Sequence, residues 1–273
     1  MEITGKIAVV TGAGSGIGQA VSAQLSSRGV KAIALVDLNP GVMQVATRIN
    51  AEAGKGGPTA EAFVGNVTDS SFRRSVYDQV VQRFGVPGIC VPAAGITRDA
   101  LAVKVDKATG KAVVYAEELF RQVVEINLVA ATYWAREMVA RIAEDRIKKG
   151  LGRWQPEENI QGTAIFIGSV SSQGNKGQIA YAATKRGLEG AASTFQKEAI
   201  FHGVRCGVIH PGFTDTPMVR AMGSEYIEKY ILPFTQLRRL IRPDEIADAI
   251  CFMIANSAVS GELWADGGWH PSA

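Results

Sequence analysis

The chain of 273 residues predicts an α/β fold, a single doubly wound domain with a central parallel sheet and helices on both faces. Short apolar runs alternate with longer stretches that carry apolar residues at helical spacing, such as 17–25 and 72–84. Because the short runs are apolar throughout, both faces of the sheet should be buried. The runs that we predict as strands are 7–11, 32–36, 60–64, 88–91, 164–167 and 204–209.

The alternation continues almost to the end of the chain without a linker or an internal repeat. We therefore expect one Rossmann-type dinucleotide-binding domain over residues 1–273. Two segments interrupt the pattern: residues 105–114 predict a polar excursion or a short hairpin, and residues 149–162 predict an insertion before a strand. Each either contacts the substrate or another subunit, or is a tolerated surface insertion.

Composition argues against several classes of function. The net formal charge is only +3, so charge alone indicates no nucleic-acid-binding face. The chain has no run of about 18 apolar residues, so no membrane span is expected. The first residues enter a strand without a secretory pattern, which makes the cytoplasm the expected compartment.

The spacing of cysteines and histidines predicts no metal site. Cys90 and Cys206 lie in separate apolar runs and are expected to be reduced core residues. The histidines are equally scattered along the chain, and none has the spacing of a metal-ligand motif. Among them, His210 directly precedes a proline that could come near a functional site.

A glycine-rich turn follows the first predicted strand and opens a helix. Its spacing is G-x-x-x-G-x-G, through Gly12, Gly16 and Gly18. Glycines let a backbone turn tightly and approach a pyrophosphate, and the N-terminus of the following helix supplies free N–H groups. The turn therefore predicts a dinucleotide site, and a purely structural turn is the alternative.

An acidic residue stands at the end of the second predicted strand. Asp37 lies about 20 residues beyond the glycines, where a carboxylate can accept hydrogen bonds from an adenosine ribose. The same charge would repel a 2′-phosphate, and no arginine or lysine lies beside Ser15 or directly after Asp37. The sequence therefore favours NAD over NADP, and a cap or turn role for Asp37 is the alternative.

Tyr181 and Lys185 are four residues apart and so share one face of a predicted helix. A free tyrosine, with a pKa of about 10, is a weak base at neutral pH. A nearby ammonium group should lower that pKa, and the pair then suits proton exchange with a substrate hydroxyl. Taken alone, the spacing is equally typical of an ordinary pair on a helix surface.

A predicted strand ends in serines upstream of Tyr181. The carboxyl end of a strand faces the ligand crevice in this fold, so Ser169 is placed to hydrogen-bond a substrate oxygen and to stabilise negative charge on it. Ser171 is the second candidate, and a turn or cap role is the alternative. The chain has no G-x-S-x-G motif, so a serine hydrolase is not indicated.

Together these motifs resemble those of the short-chain dehydrogenase/reductase family, and the resemblance covers nearly the whole chain. Residues 65–69 are similar to the family's adenine-contact turn, and residues 93–95 to the end of its N-N-A-G turn. Residues 211–216 resemble the segment that contacts the nicotinamide amide, and residues 260–268 resemble the last strand and its turn.

The resemblance implies an NAD-dependent oxidoreductase with four catalytic residues, namely Asn127, Ser169, Tyr181 and Lys185. In the family, the asparagine organises a water near the lysine, and the lysine also holds the nicotinamide ribose. The alternative for Asn127 is a polar residue that kinks a helix. The implied cofactor contacts are Gly12, Ser15, Gly16, Ile17, Gly18, Asp37, Leu38, Asn66, Val67, Ala94, Gly95, Tyr181, Lys185, Pro211, Gly212, Thr214 and Thr216.

Two positions depart from the family pattern. Pro92 replaces the first asparagine of the N-N-A-G turn, which usually braces the central sheet through its side chain, and proline also lacks a backbone N–H. The family's serine precedes the tyrosine by one more residue than Ser169 does, an offset that Gly168 occupies. We infer that the intervening loop is one residue shorter.

The family implies that a secondary alcohol and a ketone of a small-molecule substrate are interconverted. Residues 95–99 and 174–178 resemble those of 3-oxoacyl-acyl-carrier-protein reductases, which favours a 3-oxoacyl or 3-hydroxyacyl thioester. A small or steroid-like ketone and a catalytically silent dinucleotide-binding protein are the alternatives. Residues 213–237 are expected to form a mobile lid, and the family implies a homotetramer or a homodimer.

Overall fold

The computed structural model describes residues 1–54 and 56–269. Its strands are β1 (Ile7–Thr11), β2 (Ala32–Asp37), β3 (Thr59–Val64), β4 (Ile89–Pro92), β5 (Val103–Val105), β6 (Ala112–Val114), β7 (Gly162–Ile167), β8 (Val204–Pro211) and β9 (Gly261–Ala265). Its α-helices are α1 (Gly16–Ser27), α2 (Val42–Ala53), α3 (Ser70–Arg83), α4 (Glu117–Val124), α5 (Ala131–Lys148), α6 (Ile179–Ala199), α7 (Pro217–Arg220), α8 (Ser224–Tyr230) and α9 (Pro243–Ala255).

Seven strands form one parallel sheet in the order β3-β2-β1-β4-β7-β8-β9. The predicted α/β fold with a central parallel sheet is confirmed. Because the chain leaves β1 toward β2 and later returns to β4 on the other side, the strand order reverses between β1 and β4. A crevice opens at such a reversal, outside the carboxyl ends of the strands.

Two apolar layers cover the faces of the sheet. One contains α1, α2 and α9, where Leu25 and Ile250 are fully buried. The other contains α3, α5 and α6, where Trp134 and Phe166 are fully buried. The polar edge of Trp134 is satisfied, because its indole N–H donates to the carbonyl of Val67 at 2.9 Å. This packing fixes the turn after β3 against the core.

The segment at residues 105–114 is a hairpin, one of the two structures that its sequence predicted. Strands β5 and β6 pair antiparallel and form a separate two-stranded sheet. Asp106 closes the tip, since its carboxylate accepts hydrogen bonds from the N–H groups of Ala108 and Thr109. The hairpin stands away from the core, and every residue of its two strands is exposed.

The segment at residues 149–162 is anchored by a buried ion pair. Arg146, at the end of α5, is 2% exposed, and its guanidinium donates to Glu158 at 2.6 Å and to the carbonyl of Gly152 at 2.9 Å. The backbone N–H of Trp154 donates to the carbonyl of Phe201. The insertion is therefore held against the domain at both ends.

None of the helices in the described ranges 1–54 and 56–269 combines the length and the apolar character that crossing a membrane requires.

We expect the Arg146–Glu158 pair to make stability depend on acid. The hydrogen bond from Arg146 lowers the pKa of Glu158 below its ordinary value of 4.5. Stability from a lowered carboxyl pKa is complete above the ordinary value and is lost as the pH falls through the lowered one. The urea midpoint should therefore fall more between about pH 5 and about pH 3 in the wild type than in Glu158→Gln.

The neighbouring exposed residue provides the matched control. Glu157→Gln removes one carboxylate from the same loop without touching Arg146, and its acid dependence should follow that of the wild type. Parallel curves for the wild type and Glu158→Gln would contradict a stabilising pair.

Candidate active site

A cleft of about 310 Å³ lies at the carboxyl ends of the central strands, where the strand order reverses. We call it the large cleft. Most of the residues predicted to contact a cofactor line it. Its lining is Gly12, Ser15, Gly16, Ile17, Gly18, Asp37, Leu38, Asn66, Val67, Ala93, Ala94, Gly95, Ile96, Ile126, Ile167, Tyr181, Lys185, Thr216, Pro217 and Met218.

Close backbone approach explains the glycines at one end of the large cleft. Gly12 has a φ of +64°, and a Cβ there would lie 2.7 Å from the amide nitrogen of Ala94. A Cβ on Gly18 would collide with the carbonyl oxygen of Gly12. Side chains are thus excluded at these two positions, which leaves the N-terminus of α1 open to an anionic group. The turn fits the pyrophosphate of a dinucleotide.

Asp37 is held rigidly at the wall of the large cleft. One carboxylate oxygen accepts a hydrogen bond from the N–H of Gly14 at 2.9 Å, and the other accepts from the N–H of Asn39 at 2.8 Å. Beside it, Leu38 is 68% exposed and offers an apolar surface. Among the described lining residues, Lys185 is the only cation, and it lies at the other end of the cleft. The end with Asp37 therefore offers no cationic side chain to a 2′-phosphate on the ribose.

The tyrosine, serine and lysine converge at the other end of the cleft. Tyr181, on α6, and Ser169, which follows β7, line the same space, and the side chain of Ser169 is close enough to influence the pKa of the tyrosine hydroxyl. Ser169 also accepts the N–H of Ser171 at 3.1 Å. Both candidate serines, Ser169 and Ser171, line this space, and the catalytic role of Ser169 stays a prediction.

The Lys185 ammonium is held by the backbone of β7. It donates to the carbonyl of Ile167 at 2.8 Å and lies 5.2 Å from the centre of the Tyr181 ring. Burial raises the pKa of Tyr181 to about 12, although the side chain of Ser169 opposes this, and burial lowers the pKa of Lys185 to about 8. Burial thus has the largest effect on the pKa of Tyr181, and the causes of its shift do not include Lys185.

Asn127 lies in a π-helical turn, Glu125–Ala130, which joins α4 to α5. Its side chain is buried, accepts the N–H of Ile96 at 2.9 Å and donates to the carbonyl of the same residue. A Cβ on Gly95 would lie 3.4 Å from its amide oxygen and 4.0 Å from the Lys185 ammonium. Asn127 thus fixes the segment after β4 beside the lysine.

The turn that contains Pro92 is held from one side of the sheet. Toward β7, pairing of β4 involves only Ile89 and Cys90. Toward β1, the N–H groups of Ala93 and Ala94 donate to the carbonyl and to the hydroxyl of Thr11. Thr11 therefore holds the turn at residues 93–95 in place, although Pro92 lacks the bracing side chain and the backbone N–H of the family's asparagine.

A small cavity of about 90 Å³ adjoins the large cleft, and Tyr181 lines both. The small cavity contains one polar pair, in which the side chain of Gln178 donates to Asp99 at 2.7 Å. Its lining is Thr97, Asp99, Ser169, Val170, Ser171, Gln178, Tyr181, Gly212, Phe213, Met218, Val219 and Met222.

Three predicted cofactor contacts lie outside the large cleft. Gly212 lines the small cavity instead. Pro211 ends β8 and is buried, and Thr214 is 3% exposed with its hydroxyl donating to the carbonyl of Gly212. Direct contact of Pro211 and Thr214 with a ligand in the cleft is not supported, because the polypeptide itself covers both of them.

Comparison with known proteins decides the family. The chain matches the family model described as short chain dehydrogenase over residues 6–227. The chain belongs to the short-chain dehydrogenase family. It is therefore an oxidoreductase of a family that binds a nicotinamide dinucleotide, as the resemblance in its motifs implied.

Individual relatives of this dehydrogenase span its whole length. The 3-oxoacyl-[acyl-carrier-protein] reductase FabG of Escherichia coli (strain K12) is 32% identical, and the alignment covers 99% of each chain. The (3R)-3-hydroxyacyl-CoA dehydrogenase of Mus musculus is 30% identical over 94% of this chain and 92% of that one. A solved structure, ribose-5-phosphate isomerase from Brucella melitensis 16M, has a TM-score of 0.80 and 25% identity over 98% of this chain and 93% of its own.

Some groups at the site of this dehydrogenase were not identified from its sequence. Asp99 and Gln178 lie in the segments 95–99 and 174–178, which resemble those of 3-oxoacyl-acyl-carrier-protein reductases. That resemblance was the only indication in the sequence that these two residues lie at the site. Met218 lines both spaces, and its position in the expected lid was the corresponding signal. Ile96 and Ile126 complete the wall of the large cleft, and nothing in their apolar side chains distinguishes them from core residues.

We expect the close approach at Gly18 to be essential for cofactor binding. In Gly18→Ala, the new Cβ pushes the glycine turn away from α1, and NADH affinity should fall roughly tenfold or more. Fluorescence titration with NADH measures it. Gly152→Ala is the control, because a Cβ there meets nothing within 4 Å, and its affinity should equal that of the wild type. Unchanged NADH affinity in Gly18→Ala, with the fold intact by circular dichroism, would contradict the requirement for close backbone approach at this position.

Proposed function

We propose that this protein is an NAD-dependent dehydrogenase that interconverts a 3-hydroxyacyl and a 3-oxoacyl thioester, with Tyr181 as the catalytic acid/base. One observation carries the proposal: Tyr181 lines both the large cleft and the small cavity, and Ser169 lies beside it in the small cavity. A substrate in the small cavity would therefore meet a cofactor in the large cleft at this hydroxyl.

The two hydroxyl groups have complementary roles in the proposed reaction. When bound, the nicotinamide dinucleotide supplies or accepts the hydride. Tyr181 gives a proton to the substrate oxygen in reduction and takes it back in oxidation. Ser169 donates a hydrogen bond to the same oxygen and stabilises its developing negative charge. Since the pKa of Tyr181 is raised to about 12, the proton rests on its hydroxyl, which suits reduction.

Lys185 and Asn127 organise the site around the tyrosine. With its pKa lowered to about 8, the Lys185 ammonium can release and regain a proton near neutral pH, so it is suited to a proton relay. Asn127 holds the backbone at Ile96 beside it, and we assign to Asn127 the family role of positioning a water near the lysine. The relay would resupply the Tyr181 hydroxyl.

The preference for NAD rests on the charge of Asp37. Its carboxylate lines the large cleft and is fixed by two backbone N–H groups, so it cannot easily turn away from a ligand. A 2′-phosphate in its neighbourhood would be repelled, whereas ribose hydroxyls can donate to it. The remaining predicted contacts at this end, Leu38, Asn66 and Val67, would bound the adenine.

The substrate class is proposed from the small cavity and from the relatives. Two curated relatives act, by their names, on 3-oxoacyl-[acyl-carrier-protein] and on (3R)-3-hydroxyacyl-CoA. The small cavity has an apolar wall with Phe213, Met218 and Met222 and a polar pair with Asp99. An acyl chain can contact the apolar wall, and the thioester region can approach the polar pair. The apolar wall would equally accept a small or steroid-like ketone. Activity assays with a thioester and with such ketones distinguish the two substrate classes.

Residues 213–237 are proposed as the lid of the small cavity. Met218 and Met222 line the cavity, whereas Tyr226 and Tyr230 are about half exposed and contact each other with ring centres 5.0 Å apart. Only the first part of the segment therefore faces the proposed substrate.

We also propose a homotetramer or homodimer that pairs α5 and α6 of neighbouring subunits. Ala183 and Gly190 are exposed on α6, and Tyr133 and Ile147 are exposed on α5. Small residues on a helix permit close approach of a second helix, and exposed apolar side chains gain from burial.

We expect the charge at Asp37 to set the choice of cofactor. Asp37→Asn keeps the shape of the side chain but removes its charge, so the ratio of NADPH to NADH dissociation constants should fall roughly tenfold or more. Calorimetric titration with both cofactors measures it. Glu52→Gln, a surface change of the same kind on α2, should leave the ratio as in the wild type. Tighter binding of NADPH than NADH by the wild type would contradict the proposed preference.

We expect Tyr181→Phe to reduce NADH-linked reduction of acetoacetyl-CoA by about 10²–10⁴-fold, which is the usual contribution of a positioned acid or base. NADH affinity should stay close to that of the wild type, because only a hydroxyl is removed. Tyr133→Phe, on α5 away from both spaces, is the control and should keep full activity.

The same assay separates the alternatives. Wild-type activity on a cyclic or steroid-like ketone but not on the thioester would overturn the substrate proposal. NADH binding without activity on any member of the panel would favour the catalytically silent reading.

A further inference from the structure

A second polar cluster lies behind the active site, at the edge of the sheet. His210, on β8, is fully buried, and its ring stacks on Trp264 with centres 4.2 Å apart. Its Nε2 lies 3.1 Å from a carboxylate oxygen of Glu262 on β9 and 3.9 Å from one of Glu189 on α6. Three elements thus bring one imidazole nitrogen and two carboxylates together.

The carboxylate of Glu189 lacks a partner on the side that faces this cluster. The residue is 7% exposed, and one oxygen is paired with Arg186 at 2.5 Å. Its other oxygen, Oε1, is buried and has no hydrogen-bond partner among the described residues. A buried carboxylate oxygen without a hydrogen-bond partner is unfavourable, so this oxygen is available to a ligand.

The surroundings of the His210 ring suit a metal ligand. Its Nδ1 lies 3.3 Å from both the N–H and the carbonyl of Ser169. If Nδ1 carries the proton and donates to that carbonyl, Nε2 presents a lone pair toward Glu189 and Glu262. Histidines that bind metals regularly use their second nitrogen in this way. In the other tautomer, Nδ1 accepts from the N–H of Ser169 and Nε2 donates to Glu262 at 3.1 Å, and a cation bound here would take the place of that proton.

We propose that His210, Glu189 and Glu262 bind a divalent cation of the Zn²⁺ type. One imidazole and two carboxylates suit such borderline cations, with water in the open positions. The three ligand atoms lie within 4.8 Å of one another, whereas tetrahedral zinc needs a spacing of about 3.4 Å. Glu262 is partly exposed on the edge strand of the sheet, so its side chain can close the difference and gives the cation a path from solvent.

The sequence could not indicate this site, because its ligands come from one helix and two strands that are far apart in the chain. The buried thiols of Cys90, Cys206 and Cys251 take no part in the cluster. A bound cation would fix the tautomer of His210 and, through it, the backbone of Ser169. It would thus tie the sheet edge to the serine of the proposed active site.

Calorimetric titration of the metal-stripped full chain with ZnCl₂ tests the site. We expect one Zn²⁺ per chain, and affinity reduced at least tenfold in Glu189→Gln and in Glu262→Gln. Glu198→Gln makes the same chemical change on an exposed position of α6 and should bind Zn²⁺ as the wild type does. Absence of stoichiometric binding, or unchanged affinity in Glu189→Gln, would overturn the proposal.

Thermal unfolding separates loss of the site from loss of the fold. Without zinc, Glu189→Gln should still unfold cooperatively, because the amide keeps the shape of the side chain and an oxygen that can accept a hydrogen bond from Arg186. Added ZnCl₂ should raise the unfolding temperature of the wild type and Glu198→Gln but not of Glu189→Gln. A wild type whose unfolding temperature does not respond to ZnCl₂ would count against the site, whatever the activity of the enzyme.

Discussion

The reversal of strand order between β1 and β4 is the constraint on which the rest of the molecule depends. Parallel strands carry all their carboxyl ends to one edge of the sheet, and connections that leave in opposite directions open a space there. The glycine turn after β1, Asp37 after β2 and Ser169 after β7 therefore surround the same space. Two apolar layers secure the sheet, and hydrogen bonds from the backbone fix Asp37 and Ser169 at its edge.

Burial, more than pairing of charges, controls the chemistry at the centre of the site. The raised pKa of Tyr181 and the lowered pKa of Lys185 both favour neutral groups, because each is removed from water. The carbonyl of Ile167 accepts a hydrogen bond from Lys185 and holds its side chain in place. The same helix, α6, also places Glu189 in the polar cluster behind the site, so one helix organises both.

Local sequence predicted what depends on local structure. The apolar runs located six of the seven strands of the main sheet closely, and the family resemblance located the last one, β9. The direction of the tyrosine pKa could not be predicted, because it depends on burial in the folded chain. The cluster around His210 was also missed, since only tertiary packing brings its members together.

The π-helical turn at Glu125–Ala130 changes the direction in which side chains leave the helix axis between α4 and α5. A π turn accommodates one more residue than an α turn, which rotates every later side chain by about 100° around the axis. Asn127 within the turn meets Ile96, while Trp134 beyond it reaches the core. Deletion of a single residue here would rotate either Asn127 away from Ile96 or Trp134 away from the core. The number of residues in this segment is therefore constrained as well as their identity.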